Sequence, residues 1–208
     1  MVTETFVPPG GPLKTDTMRP ALIVVDMLVD FFDPNIWPDS ALPPLREALS
    51  ERINTCVRQF RSANLPVIWV RQAFEPDLSD AFPHMRRADK AYTIRGTPGA
   101  AILPELERAE EDKVVLKKRF SAFFDTGLAD MLKELDLQTV VLCGVTTSWC
   151  IRSTATDAYQ HDLEVLLAGD CMAGFDMTAH ARDLEAMNGY IGDVIDTREL
   201  SERLQHPA

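Results

Sequence analysis

Apolar, β-branched runs recur along the chain at residues 21–25, 66–70, 114–116, 139–143, 164–168 and, more weakly, 190–195. They are continuous rather than alternating, as suits strands covered on both faces of a sheet. Between them, residues 45–63, 128–135, 148–161 and 178–188 carry apolar positions at the spacing of one helix face. Strand and helix in alternation predict an α/β fold, a three-layer α/β/α arrangement around a mostly parallel sheet of about six strands. Ligands are then expected outside the carboxyl ends of the strands. Residues 71–104 interrupt the pattern with the turn formers Pro76, Pro83, Gly96, Pro98 and Gly99, so they read as a long excursion of the kind that often serves as a lid. Residues 1–18, with Pro8, Pro9, Gly10, Gly11 and Pro12, read as an N-terminal arm, and residues 19–208 as one domain.

Composition narrows the function classes. The chain has 208 residues, 46% hydrophobic and 25% charged, which suits one compact core, and a net charge of −11. That charge repels a phosphate backbone and an anionic membrane surface, so a small molecule is the expected partner and neither nucleic acid nor membrane is. No apolar run approaches the ~20 residues of a membrane span and no signal-peptide pattern opens the chain, so a cytoplasmic protein is expected. The four cysteines, Cys56, Cys143, Cys150 and Cys171, include no C-x-x-C pair and suggest neither a zinc ribbon nor a disulfide framework. With no G-x-G-x-x-G and no P-loop sequence, no nucleotide cofactor is expected.

Three polar residues stand at predicted strand ends: Asp26 after Ala-Leu-Ile-Val-Val, Lys117 after Lys-Val-Val-Leu, and Cys150 shortly after Thr-Val-Val-Leu-Cys-Gly. In a parallel sheet these ends share one rim. Taken singly each has a plain explanation, as a turn aspartate, a solvated lysine and a small core residue. The setting Gly144-Val-Thr-Thr-Ser-Trp-Cys150 adds more: glycine permits a sharp turn, Thr147 or Ser148 can cap the next helix, and Cys150 falls in its first turn. Unpaired N–H groups there, with Lys117 as a nearby cation, favour thiolate over thiol. Asp26 can take the thiol proton and return it to a leaving group.

These pieces, with Asp30-Phe31-Phe32, Lys117-Lys-Arg-Phe-Ser121-Ala-Phe123 and Thr154-Ala-Thr-Asp157-Ala, resemble the isochorismatase-like cysteine hydrolases from Arg19 onward. The pattern is most similar to the N-carbamoylsarcosine amidase and maleamate amidohydrolase branch. The resemblance implies an Asp26, Lys117, Cys150 triad, choosing Lys117 over Lys118 because that lysine stands four residues before the serine of Ser-Ala-Phe. It implies a cis peptide between Val145 and Thr146, and an oxyanion hole from the backbone N–H groups of Thr146 and Cys150. It further implies C–N bond hydrolysis of a small amide, carbamoyl or ureido compound through a thioester, and a homodimer or homotetramer.

Leu28 and Val29 stand where the resemblance would put glutamine and asparagine. The stretch Arg71–Asp80 lacks the histidines of the metal-dependent members, and His84 alone makes no metal site, so no catalytic metal is expected. Phe32, Trp37, Gln72, Phe123, Thr147 and Trp149 are the candidate pocket residues, with Trp149 narrowing the pocket, and Arg71 with Gln72 is open to two readings, recognition of a substrate carboxylate or a salt bridge. His161, His180 and His206 read as surface or capping residues, and Cys143 and Cys171 as packing. Two other readings compete: isochorismate-type vinyl-ether hydrolysis, in which the cysteine is dispensable, and a catalytically silent binding protein on the same fold.

Overall fold

The computed structural model describes residues 19–88 and 90–205; the expected arm at residues 1–18 and His206 lie outside them. Strand β1 (Pro20–Val25) takes the middle of a six-stranded, all-parallel sheet. The chain first builds outward through β2 (Val67–Gln72) and β3 (Lys113–Lys117). It then returns to the other side of β1 and continues through β4 (Thr139–Val145), β5 (Glu164–Ala173) and β6 (Asp193–Ile195), giving the order β3-β2-β1-β4-β5-β6. The strand order reverses between β1 and β4, which opens a crevice at their carboxyl ends.

Side-chain alternation explains the continuous apolar runs. Leu22, Val24, Trp69, Val141 and Leu166 pack on one face with Ile53, Val57 and Phe60 of α1 (Leu42–Ser62) and Leu200 of α6 (Thr197–Gln205). Ile23, Val25, Ile68, Val70 and Leu167 pack on the other face. They meet Leu128 and Leu132 of α3 (Leu128–Glu134), Ala155 and Ala158 of α4 (Arg152–Gln160) and Met187 of α5 (Met177–Met187). Because both faces are covered, both alternating sets must be apolar.

Edge strand β3 departs from that expectation: Val114 and Leu116 are 41% and 49% exposed, since one of its faces has no covering element among the described residues. The run at 190–195 yields strand only at Asp193–Ile195; Gly189, with φ of 74°, starts a turn through its first half. Helix α6 escaped the pattern because Thr-Arg-Glu-Leu-Ser-Glu-Arg-Leu-Gln holds few apolar residues.

The excursion begins after Gln72, since β2 includes Arg71 and Gln72, and contains the short helix α2 (Pro83–Ala88). Asp30, in the 3-10 turn Val29–Phe32, fastens it: Asp30 Oδ2 accepts the Thr93 N–H at 2.5 Å. A side chain at Gly99 would overlap the Asp30 carboxylate, so glycine permits that close approach. Leu28 is wholly buried and its backbone pairs with Ile102, so at this position the chain has an apolar brace for the excursion instead of a polar group.

Candidate active site

Asp26 follows β1 in the left-handed region, φ 51°, which aspartate tolerates better than most residues. Its N–H donates to the Val70 carbonyl at 2.9 Å, and Oδ1 accepts the Gln72 N–H at 2.8 Å. Lys117 ends β3 with its side chain fully buried, placing Nζ 2.6 Å from Asp26 Oδ2. The same ammonium donates to the Arg119 carbonyl at 3.0 Å and lies 3.4 Å from Cys150 Sγ. Lys118 instead pairs with Asp80 at 2.7 Å.

Cys150 sits in a π-helical turn, Thr147–Ile151, directly beyond β4. Gly144, φ 107°, turns β4 against β1; a Cβ there would lie 2.1 Å from the Val25 carbonyl oxygen. The peptide between Val145 and Thr146 is cis. The N–H groups of Trp149 and Ile151 both reach the Thr146 carbonyl, at 3.2 and 3.1 Å, and that of Cys150, between them, does not.

Burial, rather than a helix start, governs the thiol. It pushes Cys150 up to about 12, with Lys117 pulling down and Asp26 pushing further up. The net displacement is upward and favours the thiol, against the expectation of a thiolate from a helix start and Lys117. Burial also opposes the Lys117 ammonium, but Asp26 and Cys150 outweigh it and the net displacement is upward.

No side chain caps the Thr147–Ile151 turn, contrary to expectation. The Thr147 hydroxyl donates to the Ala173 carbonyl at 3.0 Å and meets His180 Nδ1 at 2.8 Å, which then supplies the proton of that contact. His180, expected at the surface, is buried against Thr147, and burial holds it below its ordinary value despite Asp183. Cys171 packs in the core, its Sγ 3.5 Å from that of Cys56.

A cavity of about 450 Å³ opens over the sulfur. Trp37, Gln72, Thr146, Trp149 and Cys150 line it; Phe32, Phe123 and Thr147 do not. Phe32 turns into the core beneath α1 while Phe31, one residue earlier in the same tight turn, lines the cavity. Phe123 packs beside the His161 ring, centroids 5.2 Å apart, and Phe120 takes the wall position. Thr147 is consumed by its own hydrogen bonds. The sequence reading missed Phe82, His84 and Tyr92 from the excursion and Phe175 after β5; the only signal was that the excursion carries aromatic residues at all. Arg71, next to Gln72 on a strand, points to the other face.

Residues 20–199 match the family model described as the isochorismatase domain. The maleamate amidohydrolase of Pseudomonas putida is 28% identical over 193 residues, 91% of this chain and 89% of that protein. A ureidoacrylate amidohydrolase of Methylorubrum extorquens is 27% identical over 209 residues, 88% and 83% of the two chains. Enterobactin synthase component B of Escherichia coli is 28% identical over 194 residues, 89% of this chain and 63% of that one. Among solved structures, an isochorismatase family protein from Desulfovibrio vulgaris superposes with a TM-score of 0.81 at 26% identity, covering 91% of this chain and 100% of its own. The N-carbamoylsarcosine amidase from Thermoplasma acidophilum does so with a TM-score of 0.71 at 25% identity, covering 86% and 96%.

Proposed function

The chain belongs to the isochorismatase family of hydrolases, and on that premise we propose that it is a cysteine amidohydrolase cleaving a C–N bond of a small amide, carbamoyl or ureido compound. One observation carries the reading: Cys150 Sγ, at the floor of the cavity, lies 3.4 Å from a Lys117 ammonium that itself sits 2.6 Å from Asp26. A cation, a carboxylate and a nucleophile in contact are the parts that covalent acyl transfer needs.

In this mechanism the Cys150 proton passes to Asp26 as the sulfur attacks the carbonyl carbon. With the thiol held near 12, proton transfer and attack must be coupled, and Lys117 carries the cost of charge on sulfur. The tetrahedral oxyanion is met by the N–H groups of Thr146 and Cys150. Collapse breaks the C–N bond, and the departing ammonia or amine takes the proton from Asp26. Asp26 then draws a proton from water, whose oxygen attacks the thioester; the acid leaves and the sulfur is reprotonated. Cys150→Ala should lower ammonia release at least about 1000-fold while leaving the melting curve intact; full turnover in that variant sinks the reading.

The match to the family model described as the isochorismatase domain favours a second reading, vinyl-ether hydrolysis of isochorismate type. Isochorismate turnover that survives Cys150→Ala would select it over the first. As the resemblance implies, the working form is proposed to be a homodimer or homotetramer, which light scattering on the purified protein tests.

A further inference from the structure

Two aromatic pairs wall the cavity. Trp37 packs on Phe175 with centroids 4.5 Å apart, and Phe82 on Phe120 at the same distance. Tyr92, edge-on to Trp37, reaches His84, stacked on Phe82, at 3.4 Å between hydroxyl and Nε2, so the two pairs are tied together. Trp149 extends the second pair from Phe120.

Lysine and arginine are absent from this lining among the described residues, and its histidine, His84, is stacked on Phe82 and in contact with the Tyr92 hydroxyl. Lys117 is committed to Asp26. The Arg119 guanidinium lies 5.5 Å over the Phe82 ring, and its Nη1 donates to the carbonyls of Asp80 and Lys118. A carboxylate in such a cavity would lose its hydration and gain no lysine or arginine counter-charge, and a net charge of −11 repels anions on approach. Among the polar side chains of this lining, which include His84, Tyr92 and Thr146, Gln72 stands apart. It is 2% exposed and lines the cavity, yet its Nε2 has no hydrogen-bond partner. A buried donor left unpaired selects for a ligand that supplies an acceptor.

Resting on the amidohydrolase reading, the geometry points to the substrate class: uncharged amides or ureides on a flat, unsaturated body that carries an acceptor for Gln72 Nε2, with carboxylate-bearing amides excluded. In this the chain differs from the maleamate and ureidoacrylate hydrolases it is similar to, whose named substrates are carboxylates. Gln72 serves two ends. Its backbone N–H holds Asp26, and its side chain reads the substrate.

The test is calorimetric titration of Cys150→Ala with benzamide and with the three ring isomers of acetylbenzamide and of carbamoylbenzoate. At least one acetyl isomer should bind about ten-fold or more tightly than its carboxylate counterpart. Adding Gln72→Leu should cost that isomer about five-fold more affinity than it costs benzamide, and Gln72→Glu, which keeps the size but cannot donate, should do the same. Both variants retain the backbone N–H to Asp26, and matched melting curves exclude misfolding. Failure of every isomer to reach that margin, absence of binding included, or affinities unmoved by both Gln72 variants overturns the inference. Ammonia release by the unaltered enzyme is scored separately: binding without release removes C–N cleavage and leaves the recognition standing.

Discussion

Burial and Asp26 together outweigh Lys117 at Cys150 and favour its thiol over its thiolate. Its alkylation by iodoacetamide should therefore be slow near neutrality and climb steadily toward about pH 12, with no plateau below pH 9; a plateau between pH 6 and 8 would show a standing thiolate and contradict this account. Lys117→Ala should lower alkylation further and turnover more than about 100-fold, and should cost about 3–5 kcal/mol because it strands the Asp26 charge in the interior. At this scale the sequence showed which residue types close the strands, and their order matched a known family. It could not show that Phe31 rather than Phe32 faces the cavity, because one residue of rotation in a 3-10 turn decides it. Nor could it show that the thiol loses its hydration, which depends on what closes over it.

The nucleophile turn depends on β4 lying close to β1. Gly144→Ala forces a left-handed alanine and a Cβ 2.1 Å from the Val25 carbonyl oxygen, so the variant should lose at least about 2 kcal/mol of stability in urea titration. An unchanged midpoint would mean that β4 can withdraw from β1 without penalty. Strands β1, β2, β4 and β5 were legible because burial on both faces leaves an uninterrupted apolar run. Helix α6 was not legible: Leu200 is fully buried, and with one or two such contacts a polar nine-residue segment is held by tertiary packing rather than by a helical stripe. Edge strand β3 was legible as a strand but not as an edge, since it carries Val114 and Leu116 on a face that no described element covers.

For the whole molecule, proton linkage sets the pH range of stability. Cys150 and Tyr92 are pushed up to about 12 from 9.0 and 10.0, both chiefly by burial, and Lys117 lies above its 10.5. Folding then holds protons that the unfolded chain releases, so these contributions are complete below about pH 9 and fall away toward pH 12. His180, displaced downward, acts at the other end: the unfolded chain gains a proton below about 6.5 that the folded one refuses, and stability declines there. Melting temperatures should thus form a plateau that falls on both sides, and Cys150→Ser should flatten the alkaline limb; identical limbs in that variant would remove Cys150 from the balance. The sheet and the meeting of Asp26, Lys117 and Cys150 at its rim could be read from the chain. The path of the excursion could not, because contacts distant in sequence, Asp30 with Thr93 and Leu28 with Ile102, steer Phe82, His84 and Tyr92 to the cavity.

Lys117 closes both accounts at once. Its ammonium crosses from the outermost strand to the aspartate of the central one, so the contact that in the proposed mechanism prepares the sulfur also ties the sheet's margin to its middle. Selection for a faster enzyme and selection for a sturdier one therefore act on the same atoms. An engineer who softens that ion pair to retune the nucleophile should expect to loosen the edge of the molecule as well, and to need reinforcement elsewhere in the sheet.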